Sequence, residues 1–392
     1  MASDLPHQLA GTNRTLTAQC HCKSVHFTIT VPTSSLPLPV HLCHCHICRQ
    51  THGTLASFHA PLPKDIGPDF IAPSSLSSSL TSYIHGPQAA GERFFCTTCG
   101  CHIGDRDVTP DPETGNREWR VASSIFAQHG EDLFQIRSHV FTSGHGTGEG
   151  MWDWLPKLGD RPLKIWNPEP GNKTFPIPPP DPPKQEFDAH TGKEVLRAEC
   201  HCGGFSITFP RPNDVPGLAE DEWASTYVSK TDPNKWVAVP DACNDCRVMN
   251  GAHVIAWMFV PLTSISPPLP KDFKFGTLTP YVSSPGVRRA FCGVCGATVF
   301  YSSEHKARTA ENDGRKIVDI AVGLLRAPEG ILAEKWLTWR SSKVGFLDCG
   351  MEYDPLFAVS LDKGTQEWAT KKFGQPVEFD IPGGPPGFEG LP

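Results

Sequence analysis

Apolar and polar residues alternate strictly in two short stretches of this 392-residue chain, and both stretches begin the same way. Val25, Phe27, Ile29 and Val31 follow the triplet Cys20-His21-Cys22, while Phe205, Ile207 and Phe209 follow Cys200-His201-Cys202. Period-two alternation predicts half-buried strands. Further strand-like runs lie at 119–126 and 317–325. No apolar run approaches the ~20 residues of a membrane-spanning helix, so none is expected. The chain carries 39 prolines and 35 glycines, which disfavour long helices and favour short strands joined by turns. The expected class is mainly β.

The two stretches open two copies of one pattern. In the first copy, the loop His41-Leu42-Cys43-His44-Cys45-His46-Ile47-Cys48-Arg49 follows, then Gly53, then Arg93-Phe94-Phe95-Cys96-Thr97-Thr98-Cys99-Gly100. In the second, Asp241-Ala242-Cys243-Asn244-Asp245-Cys246-Arg247 precedes Gly251 and Arg289-Ala290-Phe291-Cys292-Gly293-Val294-Cys295-Gly296. Loop and knuckle are 48 residues apart in one copy (Cys48 to Cys96) and 46 in the other (Cys246 to Cys292). Four features repeated in order imply internal duplication. The expected organisation is a first zinc domain over 15–155 and a Pro-rich linker over 156–194. A second zinc domain over 195–355 and a C-terminal tail over 356–392 complete it. The run 175–183, rich in proline, reads as a stiff spacer, and extra length at 220–236 as a lid or interface loop.

Cysteine usage carries the chemistry. The 15 cysteines are odd in number and nearly all fall in C-x-C or C-x-x-C groups, a metal-binding pattern rather than a disulfide scaffold. Cys20, Cys22, Cys96 and Cys99 form one closed set of four, and Cys200, Cys202, Cys292 and Cys295 another. Closed thiolate sets hold structural zinc. Cys43, Cys45 and Cys48 supply three ligands and leave a tetrahedral ion one open position, the pattern of a catalytic zinc. In the second loop Asp241 replaces the first cysteine beside Cys243 and Cys246. It makes either a sharper Lewis-acid site or a loop without metal. Zinc is thus expected twice per domain.

His44, His46 and His139 are candidate proton shuttles, and His41 or His52 is a candidate fourth ligand that would close the first loop. Arg49 and Arg247 each follow the last loop ligand, where they would pair a substrate carboxylate or make a structural salt bridge. Cys101 reads as a packed thiol and Cys349 as a small buried side chain.

The order C-H-C, C-H-C-x-x-C-R, R-F-F-C-x-x-C-G resembles the glutathione-dependent formaldehyde-activating enzyme family, which also includes centromere protein V. The resemblance covers about 15–155 and 195–350. It implies a β-tent fold, a structural Cys₄ zinc, and a second zinc on the C-x-C-x-x-C loop where glutathione adds to formaldehyde, giving S-hydroxymethylglutathione. A carbon–sulfur lyase-like zinc enzyme is therefore expected, with glutathione as candidate small-molecule substrate. Two rivals stand beside it: a zinc Lewis acid acting on another carbonyl, imine or lactone, and a non-catalytic zinc-stabilised binding module.

Formal charge is −7, with no Lys/Arg stripe, which weighs against nucleic acid as a partner. Residues 1–11 lack a basic segment followed by an apolar one, so the expected location is the cytoplasm, without membrane attachment. Oligomeric state is left open by the sequence.

Overall fold

The computed structural model describes residues 12–143, 148–169, 181–304 and 316–381. Residues 175–180 of the proline run, His145, the N-terminal 1–11 and the final 382–392 lie outside these.

In the first half the strands are β1 (Asn13–Gln19), β2 (His26–Pro32), β3 (Leu38–Cys43), β4 (Ser57–Pro61), β5 (Asp69–Phe70), β6 (Leu80–Tyr83), β7 (Gly91–Cys96), β8 (His102–Asp107), β9 (Trp119–Ala122), β10 (Phe134–Val140), β11 (Lys157–Leu158), β12 (Arg161–Pro162) and β13 (Lys164–Trp166). Short helices α1 (His46–His52), α2 (Leu76–Ser79) and α3 (Met151–Trp154) interrupt them. The second half holds β14 (Glu186–Phe187), β15 (Glu194–Glu199), β16 (Ser206–Pro210), β17 (Trp236–Asp241), α4 (Asn244–Asn250), β18 (Ile255–Pro261), β19 (Leu278–Ser284), β20 (Val287–Cys292), β21 (Thr298–Ser303), β22 (Ile317–Ala321) and β23 (Leu337–Trp339). Helices α5 (Leu347–Tyr353) and α6 (Pro355–Phe373) end the described chain.

A large sheet of order β10-β3-β4-β9-β8-β7-β6, with β13 added beside β10, faces the small sheet β1-β2-β5. The second half has β23-β17-β18-β22-β21-β20-β19 with β14-β15-β16. The two seven-strand orders correspond strand for strand. The alternating residues behave as their period predicts: Val25, Phe27, Ile29 and Val31 are fully buried, as are Phe205 and Phe209. The runs at 119–126 and 317–325 are strands only for their first part. Each then turns into a 3₁₀ helix, Ser123–Ile125 and Val322–Leu324.

Three expectations need correction. Residues 156–166 are not linker, because β13 pairs in parallel with β10 and joins the first large sheet. The extra length at 220–236 is not a lid: its Tyr227 is fully buried and packs on Phe259 of β18. Most importantly, residues 355–373 are not a tail but a helix of 19 residues.

Helix α6 carries complete terminal signals. Asp354 caps it by accepting from the Phe357 N–H (3.1 Å), Pro355 occupies its first turn, and Gly374 ends it with φ of 85°. Its buried face is Phe357, Ala358, Leu361, Thr365, Trp368 and Ala369, a helical spacing. Trp368 packs against Trp154 of α3, and Trp154 in turn against Trp339 of β23 (centroids 5.7 and 4.8 Å apart), so the helix is seated on both halves.

The closest approach is at Gly364, where a Cβ would stand 1.8 Å from the Trp154 carbonyl oxygen. A methyl group there must push the helix off its seat. Gly364→Ala is expected to cost about 1–3 kcal/mol, the usual penalty of overpacking, despite alanine's better helix propensity. Urea unfolding of the two proteins measures it; an alanine variant as stable as the parent would show a looser seat.

A second expectation concerns acid. Asp105 on β8 is buried; His59 Nδ1 (2.8 Å) and Arg120 Nε (2.5 Å) bond its carboxylate. Burial alone would raise its pKa, but Arg120 and His59 outweigh it and bring the value to about 2 from 3.8. A carboxyl depressed in the folded state stabilises fully above pH 3.8 and loses that contribution as pH falls towards 2. Denaturation midpoints followed between pH 5 and pH 2 should fall less steeply in Asp105→Asn than in the parent.

Candidate metal centres

Cys20 and Cys22 lie in the turn leaving β1, Cys96 ends β7 and Cys99 follows in the knuckle. Their thiols converge, with Sγ separations of 3.5 Å (Cys20–Cys22), 3.7 Å (Cys20–Cys96) and 3.6 Å (Cys22–Cys96). In the second half Cys200–Cys202 and Cys202–Cys292 are both 3.5 Å. A tetrahedral zinc with Zn–S near 2.3 Å has S···S edges of ~3.8 Å, so both sets fit the ion. All four ligand atoms of each set lie within 4.8 Å of one another. Backbone N–H groups point at these sulfurs, Val25 N to Cys20 Sγ at 3.2 Å and Phe205 N to Cys200 Sγ at 3.3 Å. Such donors favour thiolate. Cys101 belongs to neither group; its thiol is fully buried beside the His102 carbonyl, and burial pushes it up.

The two loops are built alike. Cys43 is the last residue of β3, Cys45 caps α1 by accepting from Cys48 N–H (3.4 Å), and Cys48 lies in the first turn of α1. In the second loop Asp241 ends β17, Cys243 caps α4 by accepting from Cys246 N–H (3.3 Å), and Cys246 lies in the first turn. Strand end plus helix start thus turns a C-x-C-x-x-C spacing into one point of convergence, and each trio lies within 4.8 Å. Cys43 and Cys45 are partly exposed and Cys48 is buried. Asp241 accepts from Cys243 N–H through Oδ1 (2.7 Å), which leaves Oδ2 facing Cys246 Sγ at 3.6 Å.

The knuckle arginines reach these loops. Arg93 Nη2 donates to Cys48 Sγ, and Arg289 Nη1 to Cys246 Sγ, both at 3.5 Å. The neighbouring thiols Cys43 and Cys45, and then Arg93, hold Cys48 well below the usual thiol range. Neither arginine stood among the candidates, although their shared place three residues before the knuckle cysteine was visible in both copies.

Several candidate residues have other tasks. His44 and His139 are fully buried and face each other, His44 Nε2 to His139 Nδ1 at 2.9 Å. Their outer nitrogens face the carbonyls of Leu55 (3.1 Å) and Leu155 (2.8 Å), and all three contacts are hydrogen bonds together when one of the two rings carries a second proton. That arrangement fastens the loop to β10 and away from solvent. His41 bonds Ser138 (2.7 Å), and His52 bonds the Cys48 carbonyl (2.9 Å) and stacks on His102. Among the described residues neither joins the three-ligand group. His46 is partly exposed and stacks on His201 of the second half; burial, then Arg49, brings its pKa down to about 4. Cys349 is only partly buried, contrary to expectation.

Arg49 and Arg247 tie the halves together. Arg49 Nη1 donates to the Gly323 carbonyl at 3.2 Å, and Arg247 Nη1 to the carbonyl of Ser124, the matching 3₁₀ turns of the opposite half. Other contacts cross over in the same paired way. His21 bonds Tyr281 (2.9 Å) while His201 bonds Tyr83 (2.8 Å), and Phe291 covers Gly100 while Phe95 covers Gly296. Side chains of the second half, His201 and Arg326, thereby border the first loop. An open cleft lined by Asp65, Gly67, Arg106, Asn116, Arg117 and Trp119 takes in none of the thiols and is not where this chemistry lies.

The chain is thus a mainly β protein built on thiolate groups suited to zinc. Residues 15–143, about a third of it, match the model of the family described as glutathione-dependent formaldehyde-activating enzyme. That match contains the first closed set and the whole first loop. The second half and any kinship with centromere protein V lie outside it. No curated protein matches the chain.

Removing one thiol from a closed set should cost far more than an ordinary core mutation. A structural zinc contributes on the order of 10–16 kcal/mol, against a whole-domain stability of roughly 5–15 kcal/mol. Cys96→Ser is expected to lower zinc content by one per chain and to abolish the cooperative melt of the first half. Metal analysis with differential scanning calorimetry reads both; a fully cooperative melt with one zinc missing would contradict a structural role.

Proposed function

We propose that the chain is a zinc-dependent enzyme of carbon–sulfur adduct chemistry, with the Cys43, Cys45, Cys48 loop as its reactive centre. The observation that carries this is a three-thiol group, two of whose residues are partly exposed, with no fourth protein ligand among the described residues. The family of the first half supplies the substrate class: glutathione and formaldehyde, combined as S-hydroxymethylglutathione. A zinc ion held by the three thiolates would supply Lewis acidity and lower the pKa of a bound substrate thiol towards neutrality.

The reaction is an addition. The substrate sulfur, having lost its proton, attacks the aldehyde carbon; the C–S bond forms, the carbonyl π pair moves to oxygen, and oxygen takes up a proton. His46 is partly exposed and on the loop, and we assign it the transfer of that proton between sulfur and oxygen. Arg93 keeps Cys48 in register, and the buried pair His44–His139 sets the loop's attachment to β10. Arg49 and Arg247, engaged with the opposite half, are not the clamp for a substrate carboxylate.

We read the second half as a duplicate of the first, with residues 15–155 and 195–355 as the two units. Its Asp241, Cys243 and Cys246 give a site with one carboxylate in place of a thiolate, and each unit would then take two zinc ions. Fifteen free cysteines suit a reducing compartment such as the cytosol, and no described helix is long and apolar enough to cross a membrane.

The test is zinc content and S-hydroxymethylglutathione formation in the parent and in Cys48→Ala. The expected result is loss of one zinc and at least a hundredfold fall in rate, with the melt of the closed sets preserved. Undiminished turnover in Cys48→Ala would remove this loop from the mechanism. A fully zinc-loaded parent that consumes a carbonyl, imine or lactone substrate without any thiol would favour the other Lewis-acid reading.

A further inference from the structure

A third kind of side-chain cluster lies apart from the cysteines, where the two halves and the C-terminal helix meet. His129 follows the 3₁₀ turn of the first half, His253 precedes β18 of the second, and Asp354 caps α6. His129 Nε2 stands 3.0 Å from Asp354 Oδ2, and His253 Nδ1 stands 3.2 Å from the same oxygen. The three side chains are 5%, 1% and 11% exposed. Their ligand atoms all lie within 4.8 Å of one another.

Hydrogen bonding alone leaves this cluster unresolved. Ser123 Oγ lies 3.4 Å from the Phe58 carbonyl and 2.9 Å from His253 Nε2; with its hydrogen on that carbonyl, it accepts from His253 Nε2–H. The neutral His253 ring then carries its lone pair on Nδ1, the nitrogen that faces the carboxylate. At 3.2 Å from Oδ2, Nδ1 is misaligned for a well-formed hydrogen bond. A lone pair and an anionic oxygen this close repel unless a cation stands beside both. The other carboxylate oxygen, Oδ1, is already used by the helix cap, so Oδ2, which meets both imidazoles, is the donor left for an ion.

We propose that His129 Nε2, His253 Nδ1 and Asp354 Oδ2 form a thiolate-free site for a divalent transition-metal cation. Two imidazoles and one carboxylate suit zinc, cobalt(II) or iron(II), and atoms about 2.1 Å from one such ion stand roughly 3.0–3.4 Å apart. The ligands come from three separate parts of the chain, so the ion acts as a clamp that holds α6 against both halves.

The probe is cobalt(II) added to the full-length protein after mild chelation that removes nitrogen- and oxygen-bound metal and leaves the thiolate-bound zinc in place. Cobalt on thiolates gives strong near-ultraviolet charge-transfer bands; cobalt on nitrogen and oxygen gives only weak visible bands. The parent should take up one equivalent per chain with visible bands alone. Asp354→Asn keeps a good helix cap while removing the anionic ligand, and His129→Asn removes another without touching the cap. Each variant should lose that equivalent while keeping the thiolate-bound zinc. No thiolate-free cobalt band in the parent would overturn the proposal, whatever the variants do. So would uptake that both variants retain.

Discussion

Thiols brought to within 3.7 Å of one another and then ionised repel strongly. At an effective dielectric of 20, each pair of charges at that separation costs about 4–5 kcal/mol. A closed set of four cannot persist as thiolates without a cation at its centre, and with one it becomes the firmest junction in its half. The consequences run outward from it. In the first half the set joins the turn after β1 to the end of β7, so the small sheet is held to the large one by coordination as well as by the burial of Val25, Phe27 and Ile29.

Each half is finished by the other. Arg49 and Arg247 leave the loops for carbonyls across the interface, and Gly53 and Gly251, which end α1 and α4 with φ of 78° and 64°, leave no room for a side chain there. A Cβ on Gly53 would meet the Thr298 carbonyl at 2.2 Å, and one on Gly251 the His102 carbonyl at 2.5 Å. A residue that looks like a substrate clamp in the sequence is therefore a tie between the two halves. The pairing also brings His201 up to His46, so the surroundings of the first loop are partly written in the second half of the chain.

Much of this was legible from residue spacing. The alternation at Val25–Val31 predicted a strand with one buried face, and the cysteine spacings predicted which thiols converge. What spacing could not give was anything requiring two distant segments at once. His44 and His139 are 95 positions apart and bond only because β10 lies beside β3. Arg49 appears at the end of a binding motif, and only the packed interface shows its target. Helix α6 was missed for a different reason. The prolines and glycines of the linker and chain end dominate the composition, while the local signals, Asp354-Pro355 at one end and Gly374 at the other, speak plainly for a helix. His129, His253 and Asp354 belong to no short motif at all, so their meeting is a property of the fold alone.

The seat of α6 also bears on how the chain is made. Trp154 is covered by residues near Gly364, some 210 positions later in the sequence. At ribosomal speeds of 5–20 residues per second, that cover arrives roughly 10–40 s after the tryptophan has left the exit tunnel. Throughout that interval the newborn first half lacks the Trp368 and Gly364 contacts that complete the burial of this indole. Burial of Trp154 is therefore timed by helix α6: the first half waits, available to chaperones, until residues 355–373 have been made and can close over it.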